Sequence, residues 1–332
     1  MDLTTQYLGL TLKNPLLASS APPNAGLDHL RRLEDAGAAA IVLPSLFEEQ
    51  IEALDSQFDA ILAAGTGNNP EAQHHYLPAM HLASGPYGLI PEHYLELVRR
   101  ARESLSIPVI ARLNGTAPGH WLDYGRKIEQ AGAQALEISL YTAPTDPGQS
   151  GAEIESGQLS AVRALRGQLS IPLSVKMSPY FTNVGNMAQR FIEAGANGVV
   201  IFDRYLQPDI DLQRLTLSID QALSQPAEMR LSLQWIALLA GKVRASLAAS
   251  TGAGNAEQAL KYLYAGADAI MLASAALGDD PGCIRRLLDG LGAWLDARGV
   301  ASLDVIRGAM SFAKLKNQNA WVRGQYFEQR QT

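Results

Sequence analysis

Two hydrophobic patterns alternate along the chain. Short unbroken apolar runs, such as AAIVLP at 39–44 and NGVVIFD at 197–203, follow longer stretches like HLRRLEDA and NMAQRFIEA, where apolar residues recur every three or four positions. The longer pattern suits a helix with one buried face. The short runs suit strands buried on both faces of a parallel sheet. The switch between them carries one recurring phrase: Ala36-Gly37-Ala38, Ala131-Gly132-Ala133, Ala194-Gly195-Ala196 and Ala265-Gly266-Ala267. A glycine just past a helix end takes the left-handed conformation that closes the last turn, so the phrase marks a helix-to-strand joint.

A second phrase, Leu105-Ser106-Ile107-Pro108 and Leu169-Ser170-Ile171-Pro172, opens two further strands, where a proline is tolerated before the ladder begins. With Leu16–Ser19 and Arg244–Ser250 added, strands are predicted near 16–19, 40–44, 109–114, 135–140, 173–177, 198–203, 245–250 and 269–274. Alternating strands and helices of this number predict a (β/α)8 TIM barrel, with a doubly wound open sheet as the alternative. One domain is expected over 1–332. The connections 45–90, 141–157 and 204–235 all leave strand C-terminal ends, so long loops are expected over the face where barrel chemistry sits.

Composition narrows the function classes. The net charge of −6 and the lack of a Lys/Arg block speak against nucleic acid as a partner. The N-terminus shows no basic and apolar leader pattern, and no apolar run reaches membrane-spanning length, so a cytoplasmic protein away from membranes is expected. A single cysteine, Cys283, excludes an intrachain disulfide framework and all-cysteine metal sites, and a packed structural thiol is expected there. His74, His75 and His81 share one loop without metal-ligand spacing, and they read as solvated side chains. No metal is expected. His120 follows Asn114-Gly115 after the third strand and is a further candidate for the mouth.

Two features carry chemistry. In Leu173-Ser174-Val175-Lys176-Met177 the alternation turns Lys176 into the barrel near the strand's C-terminal end. A buried ammonium needs an anionic ligand or an acidic neighbour. Glu137 is the structural candidate for that neighbour, with Arg112 competing for it on the same parity argument. The second feature is Ser250-Thr251-Gly252-Ala253-Gly254-Asn255, which leads into a helix after the seventh strand. Its backbone amides would make an anion site, with Ser274-Ala275 after the eighth strand as partner, at the recurrent phosphate position of such barrels.

On these residues the chain resembles the dihydroorotate dehydrogenase family, particularly its dihydroorotate dehydrogenase-like branch. The likeness runs from Tyr7-Leu8-Gly9-Leu10 and Lys13-Asn14-Pro15 through the eighth strand, and is most specific in Ile171-Pro172-Leu173-Ser174-Val175-Lys176-Met177-Ser178-Pro179-Tyr180-Phe181. The resemblance implies an FMN-dependent oxidoreductase acting on a CH–CH group of a small metabolite, in pyrimidine biosynthesis at the level of the family. It implies that Lys176 meets the FMN ring, with Ser19, Ser20, Asn114 and Ser139 beside it. Thr251, Gly252, Ala253 and Gly254 with Ser274 and Ala275 would hold the phosphate, and Thr142 falls at the position of the catalytic base, with Tyr141 as runner-up.

The substrate half departs from the family pattern. Pro44 stands where a lysine is expected, Ser139 and Pro144 replace two asparagines, and Asp203 replaces a third. Dihydroorotate specificity therefore does not follow from the resemblance. A separate electron-transfer protein and a homo-oligomer are both compatible with the sequence. The alternative from another class is a non-redox FMN- or phosphate-binding barrel acting as a structural or regulatory partner. A third reading is a flavin-free barrel enzyme acting on a phosphorylated metabolite.

Overall fold

The computed structural model describes residues 2–19, 26–53, 90–116, 118–141, 143–205, 207–219, 224–273 and 280–323. Within them eight parallel strands close into a barrel: β3 (Leu16–Ser19), β4 (Ala40–Phe47), β5 (Val109–Gly115), β6 (Ala135–Leu140), β7 (Leu173–Met177), β8 (Gly198–Ile201), β11 (Ser246–Ser250) and β12 (Ala269–Leu272). The expected (β/α)8 architecture is borne out. Around it stand α1 (Leu27–Asp35), α2 (Pro91–Ser104), α3 (Asp123–Gln130), α4 (Gly151–Gln168), α5 (Val184–Glu193), α6 (Met229–Leu239), α7 (Ala256–Ala265) and α8 (Gly282–Asp296). Among the described residues no helix is long and apolar enough to cross a membrane.

The joints form as their sequence requires. Gly37, Gly132, Gly195 and Gly266 have φ of 109°, 103°, 113° and 117°. The amide after each donates back to the carbonyl five residues earlier, as in Ala38 to Leu33 at 3.1 Å and Ala267 to Tyr262 at 3.0 Å. Each helix therefore ends with its last carbonyls satisfied and the chain turned into the next strand.

Two antiparallel hairpins escape the 3.6-residue and buried-strand patterns. The first, β1 (Thr5–Tyr7) with β2 (Leu10–Leu12), turns through Leu8 and Gly9 at φ 53° and 76°. Its Tyr7, Leu8 and Leu12 join the inward residues Leu17, Ala40, Val42, Ile110, Ala135, Val200, Ala248, Ala269 and Met271 in one buried cluster. The Leu8 amide donates to Ser246 Oγ at 2.9 Å, at the start of β11. The hairpin thus plugs the N-terminal end of the barrel and leaves the C-terminal end as the open one. The second hairpin, β9 (Pro208–Asp211) with β10 (Thr216–Ile219), lies inside the long connection after β8.

Strand β4 runs three residues past the expected end at 44, and it does so around an irregularity. Its pairing with β5 shifts register between Val42 and Ser45, at a proline that has no amide to give. The Arg112 backbone amide donates to Tyr94 Oη at 2.7 Å, and Tyr94 Oη donates to the Arg112 carbonyl at 3.1 Å. A tyrosine from α2 thus stands in for a missing ladder partner, which keeps buried main-chain groups paired.

The floor offers a direct test. A Cβ built on Gly198 would lie 2.6 Å from Leu8 Cδ2 and 3.0 Å from the Ser246 carbonyl oxygen. Gly198→Ala should therefore cost on the order of 1–3 kcal/mol in urea unfolding, the usual range for overpacking. An unchanged unfolding midpoint would mean that the hairpin is not wedged into the barrel.

Candidate active site

Strand register lays the polar residues of the open end in two rows. Asn114, Ser139 and Lys176 are neighbours across β5, β6 and β7, and Arg112, Glu137 and Ser174 form the next row down. All six come from period-two alternation, which turns every second residue of these strands inward. The expected inward Lys176 is confirmed: it is 5% exposed.

Its partner differs from the sequence expectation. Glu137 is taken by Arg112, whose Nε lies 3.2 Å from Glu137 Oε1, while Lys176 Nζ reaches Asp203 Oδ1 at 3.4 Å. Arg112 also bridges to Asp203 Oδ2 at 3.3 Å and donates to Ser139 Oγ at 3.0 Å. Row position explains the choice. Arg112 and Glu137 are register partners, whereas Lys176 sits one row higher and extends toward Asp203, just beyond β8. The Asp203 amide still donates to the Met177 carbonyl at 2.9 Å, so the backbone ladder holds this carboxylate at the rim.

The four side chains form a closed set of two cations and two anions, buried to the extent that Glu137 has no exposure and Arg112 only 7%. Burial opposes the Asp203 charge, but Lys176, Arg112 and the Ser139 hydroxyl outweigh it and hold its carboxyl below the ordinary carboxylate value. Asp203 is therefore ionised at neutral pH. Underneath, burial and the Glu137 charge push the Tyr7 phenol well up, so the floor of the site presents a neutral hydroxyl. Neither Glu137 oxygen accepts an aligned hydrogen bond among the described residues; its contact with Arg112 is an ion pair bent away from hydrogen-bond alignment.

Beside this set, three tyrosines cluster at the rim. Tyr141 and Tyr205 have ring centroids 3.8 Å apart, with Tyr180 5.9 Å and 6.0 Å from them. Burial and the neighbouring Tyr180 raise the Tyr141 phenol above its ordinary value, so it is a hydrogen-bond donor at neutral pH and a poor base. This cluster was visible in the sequence only as separate tyrosines, since its members come from three different strand ends.

Next to β8, β11 leads into the loop before α7. Thr251 and Gly252 have consecutive positive φ of 74° and 67°. The amides of Gly254 and Asn255 are turned to Gln258 Oε1 at 2.6 Å and 3.1 Å, and that of Gly252 to Ser224 Oγ at 3.2 Å. No hydrogen bond among the described residues engages the Ala253 amide. Gly252 also has a packing reason, because a Cβ there would lie 2.8 Å from Met229 Cβ.

Ser19 is fully buried at the end of β3. Ser20, Thr142, Ser274, Ala275 and the histidines 74, 75 and 81 lie outside the described residues. His120 is exposed in a short helical turn and is not brought to the cluster. Cys283 is partly buried, and burial pushes its thiol up, in keeping with a packed structural cysteine.

A closed parallel barrel thus carries a buried ionic cluster and a left-handed turn at its C-terminal end, the face where barrel enzymes place their chemistry. No family model matches the chain. Among curated proteins it is similar to the putative dihydroorotate dehydrogenase A (fumarate) of Aeropyrum pernix, 28% identical over 221 residues, covering 64% of this chain and 71% of that one. The catalytic subunit of dihydroorotate dehydrogenase B (NAD(+)) of Methanocella arvoryzae is 25% identical over 321 residues, covering 93% and 97%. That of Pelobacter propionicus is 26% identical over 328 residues, covering 93% and 98%. The resemblance to this family is thus borne out over nearly the whole chain, and with it the expected oxidoreductase class.

The ionic set makes a sharp stability prediction. Arg112→Met leaves Glu137 charged and unpaired in the barrel and should cost ~3–5 kcal/mol. Adding Glu137→Gln to that variant should recover at least half of the loss in urea unfolding. No recovery in the double variant would mean that the two residues do not act as a pair.

Proposed function

We propose that the protein is an FMN-dependent oxidoreductase of the dihydroorotate dehydrogenase-like type, acting on a C–C bond of a small metabolite. The observation that carries this reading is the row Asn114–Ser139–Lys176 at three neighbouring strand ends, at the same end of the barrel as the loop after β11 with its free Ala253 amide. The donor set fits a phosphorylated flavin: a backbone amide in a left-handed turn for the phosphate, hydroxyls and an amide side chain for ring heteroatoms, and one cation. Ser19, Asn114, Ser139 and Lys176 would hold the ring, and Thr251–Gly254 with Ser274 and Ala275 the phosphate. When bound, FMN supplies a hydride acceptor.

The chain's own residues do the rest. Lys176 keeps a positive charge where electron density accumulates on the cofactor, and Asp203 fixes the ammonium in place. Tyr141, protonated at neutral pH, donates a hydrogen bond to substrate. Thr142, next in the chain, would pass the adjacent proton to water, since a threonine hydroxyl has no acidity of its own to drive the step. Relatives named as catalytic subunits support a separate electron-transfer partner for this chain. The second reading, a non-redox flavin-binding barrel, draws support from the Lys176–Asp203 pair itself, because that cation is already partly neutralised.

The protein should purify with FMN or take it up one to one, seen in its visible absorbance. Lys176→Ala should then lower the two-electron midpoint potential of bound FMN by about 30–60 mV, one to two decades in the reduction equilibrium. A colourless protein that shows no FMN binding on fluorescence titration would sink the proposal. A flavin whose potential is unmoved by the substitution would favour the non-redox reading.

A further inference from the structure

The substrate class of this mouth can be argued from its charges, on the footing that the mouth is the substrate site proposed above. Both cations that reach it are already engaged: Arg112 with Glu137 and Asp203, and Lys176 with Asp203. Arg204, the next cation along the rim, pairs with Glu228 at 2.8 Å. A carboxylated substrate would meet the Asp203 carboxylate beside cations that are already paired, bringing two carboxylates into one desolvated space.

The other lining is aromatic. Tyr141 and Tyr205 are in ring contact, Tyr180 completes the cluster and is more than half exposed, and the buried Tyr205 hydroxyl makes no aligned hydrogen bond among the described residues. Such a surface offers ring faces for stacking and phenol groups for hydrogen bonds to a neutral carbonyl or ring nitrogen. We propose that the substrate is a planar, conjugated ring without a carboxylate, held against Tyr141 and Tyr205 and not by an ion pair. Asp203 is then the residue that sets specificity: its ionised carboxylate, held at the rim, opposes an anionic ring. The replaced asparagines agree with this, since Ser139 Oγ accepts from Arg112 and its hydroxyl serves Asp203, and Pro144 has no polar side chain to offer an anion.

Titration calorimetry on protein incubated with FMN tests the inference with rings that differ only in the acidic group: uracil against orotate, and nicotinamide against nicotinate. In each pair the uncharged ring should bind at least tenfold more tightly. Asp203→Asn should improve binding of the two carboxylated rings at least tenfold, by removing the negative charge that opposes them. Tyr141→Leu should weaken the uncharged rings by about tenfold and leave the carboxylated ones little changed. Carboxylated rings that bind wild-type protein as tightly as their neutral counterparts would overturn the inference, as would a failure of both neutral rings to bind. Visible absorbance separates this outcome from that of the functional proposal. A flavin-loaded protein that prefers carboxylates contradicts only the inference, and a flavin-free protein that still prefers neutral rings contradicts only the cofactor.

Discussion

Burying two cations inside a barrel is the constraint around which this molecule is built. An arginine and a lysine at 7% and 5% exposure would each cost several kcal/mol if left alone, and the cost is avoided only because Glu137 and Asp203 lie beside them. The pairing requires the backbone to be right. Glu137 must share a row with Arg112, which the β5–β6 register provides, and Asp203 must stand above Lys176, which the ladder bond from its amide to Met177 provides. Even the backbone groups of Arg112 are held by Tyr94 at the place where Pro44 interrupts the β4 ladder.

The same arrangement divides the barrel into a sealed half and a working half. Below the ionic rows, Tyr7, Leu8 and Leu12 fill the interior with an apolar plug that closes the N-terminal end. Above them lie Lys176, Ser139 and Asn114, the tyrosine cluster along the rim, and the left-handed turn at Thr251–Gly252 beside the end of β8. Among the described residues the ionic set at this end is internally balanced, two cations against two carboxylates.

What the sequence made legible follows from how local each signal is. The helix-to-strand joints repeat a three-residue phrase whose glycine has one conformational use, so four of the strands could be placed from it directly. Lys176 could be turned inward because two-residue alternation depends only on its neighbours. Its partner could not be found in that way. Asp203 is 27 residues further along and beyond the regular end of β8, so strand parity favoured Glu137, which Arg112 in fact holds. The hairpins at 5–12 and 208–219 were missed because strands of three and four residues carry too little periodicity to stand out. The tyrosine cluster is a product of closure, since its members meet only when β6, β7 and β8 are side by side.

If this ionic mouth is a flavin site in which Lys176 meets the ring, a crystal structure of the protein soaked with FMN will show it most directly. The ring is expected within hydrogen-bond distance of Lys176 Nζ, beside Ser139 and Asn114, with the phosphate on the Ala253 amide. FMN density elsewhere on the molecule, or a ring at the mouth with Lys176 still bound only to Asp203, would contradict it.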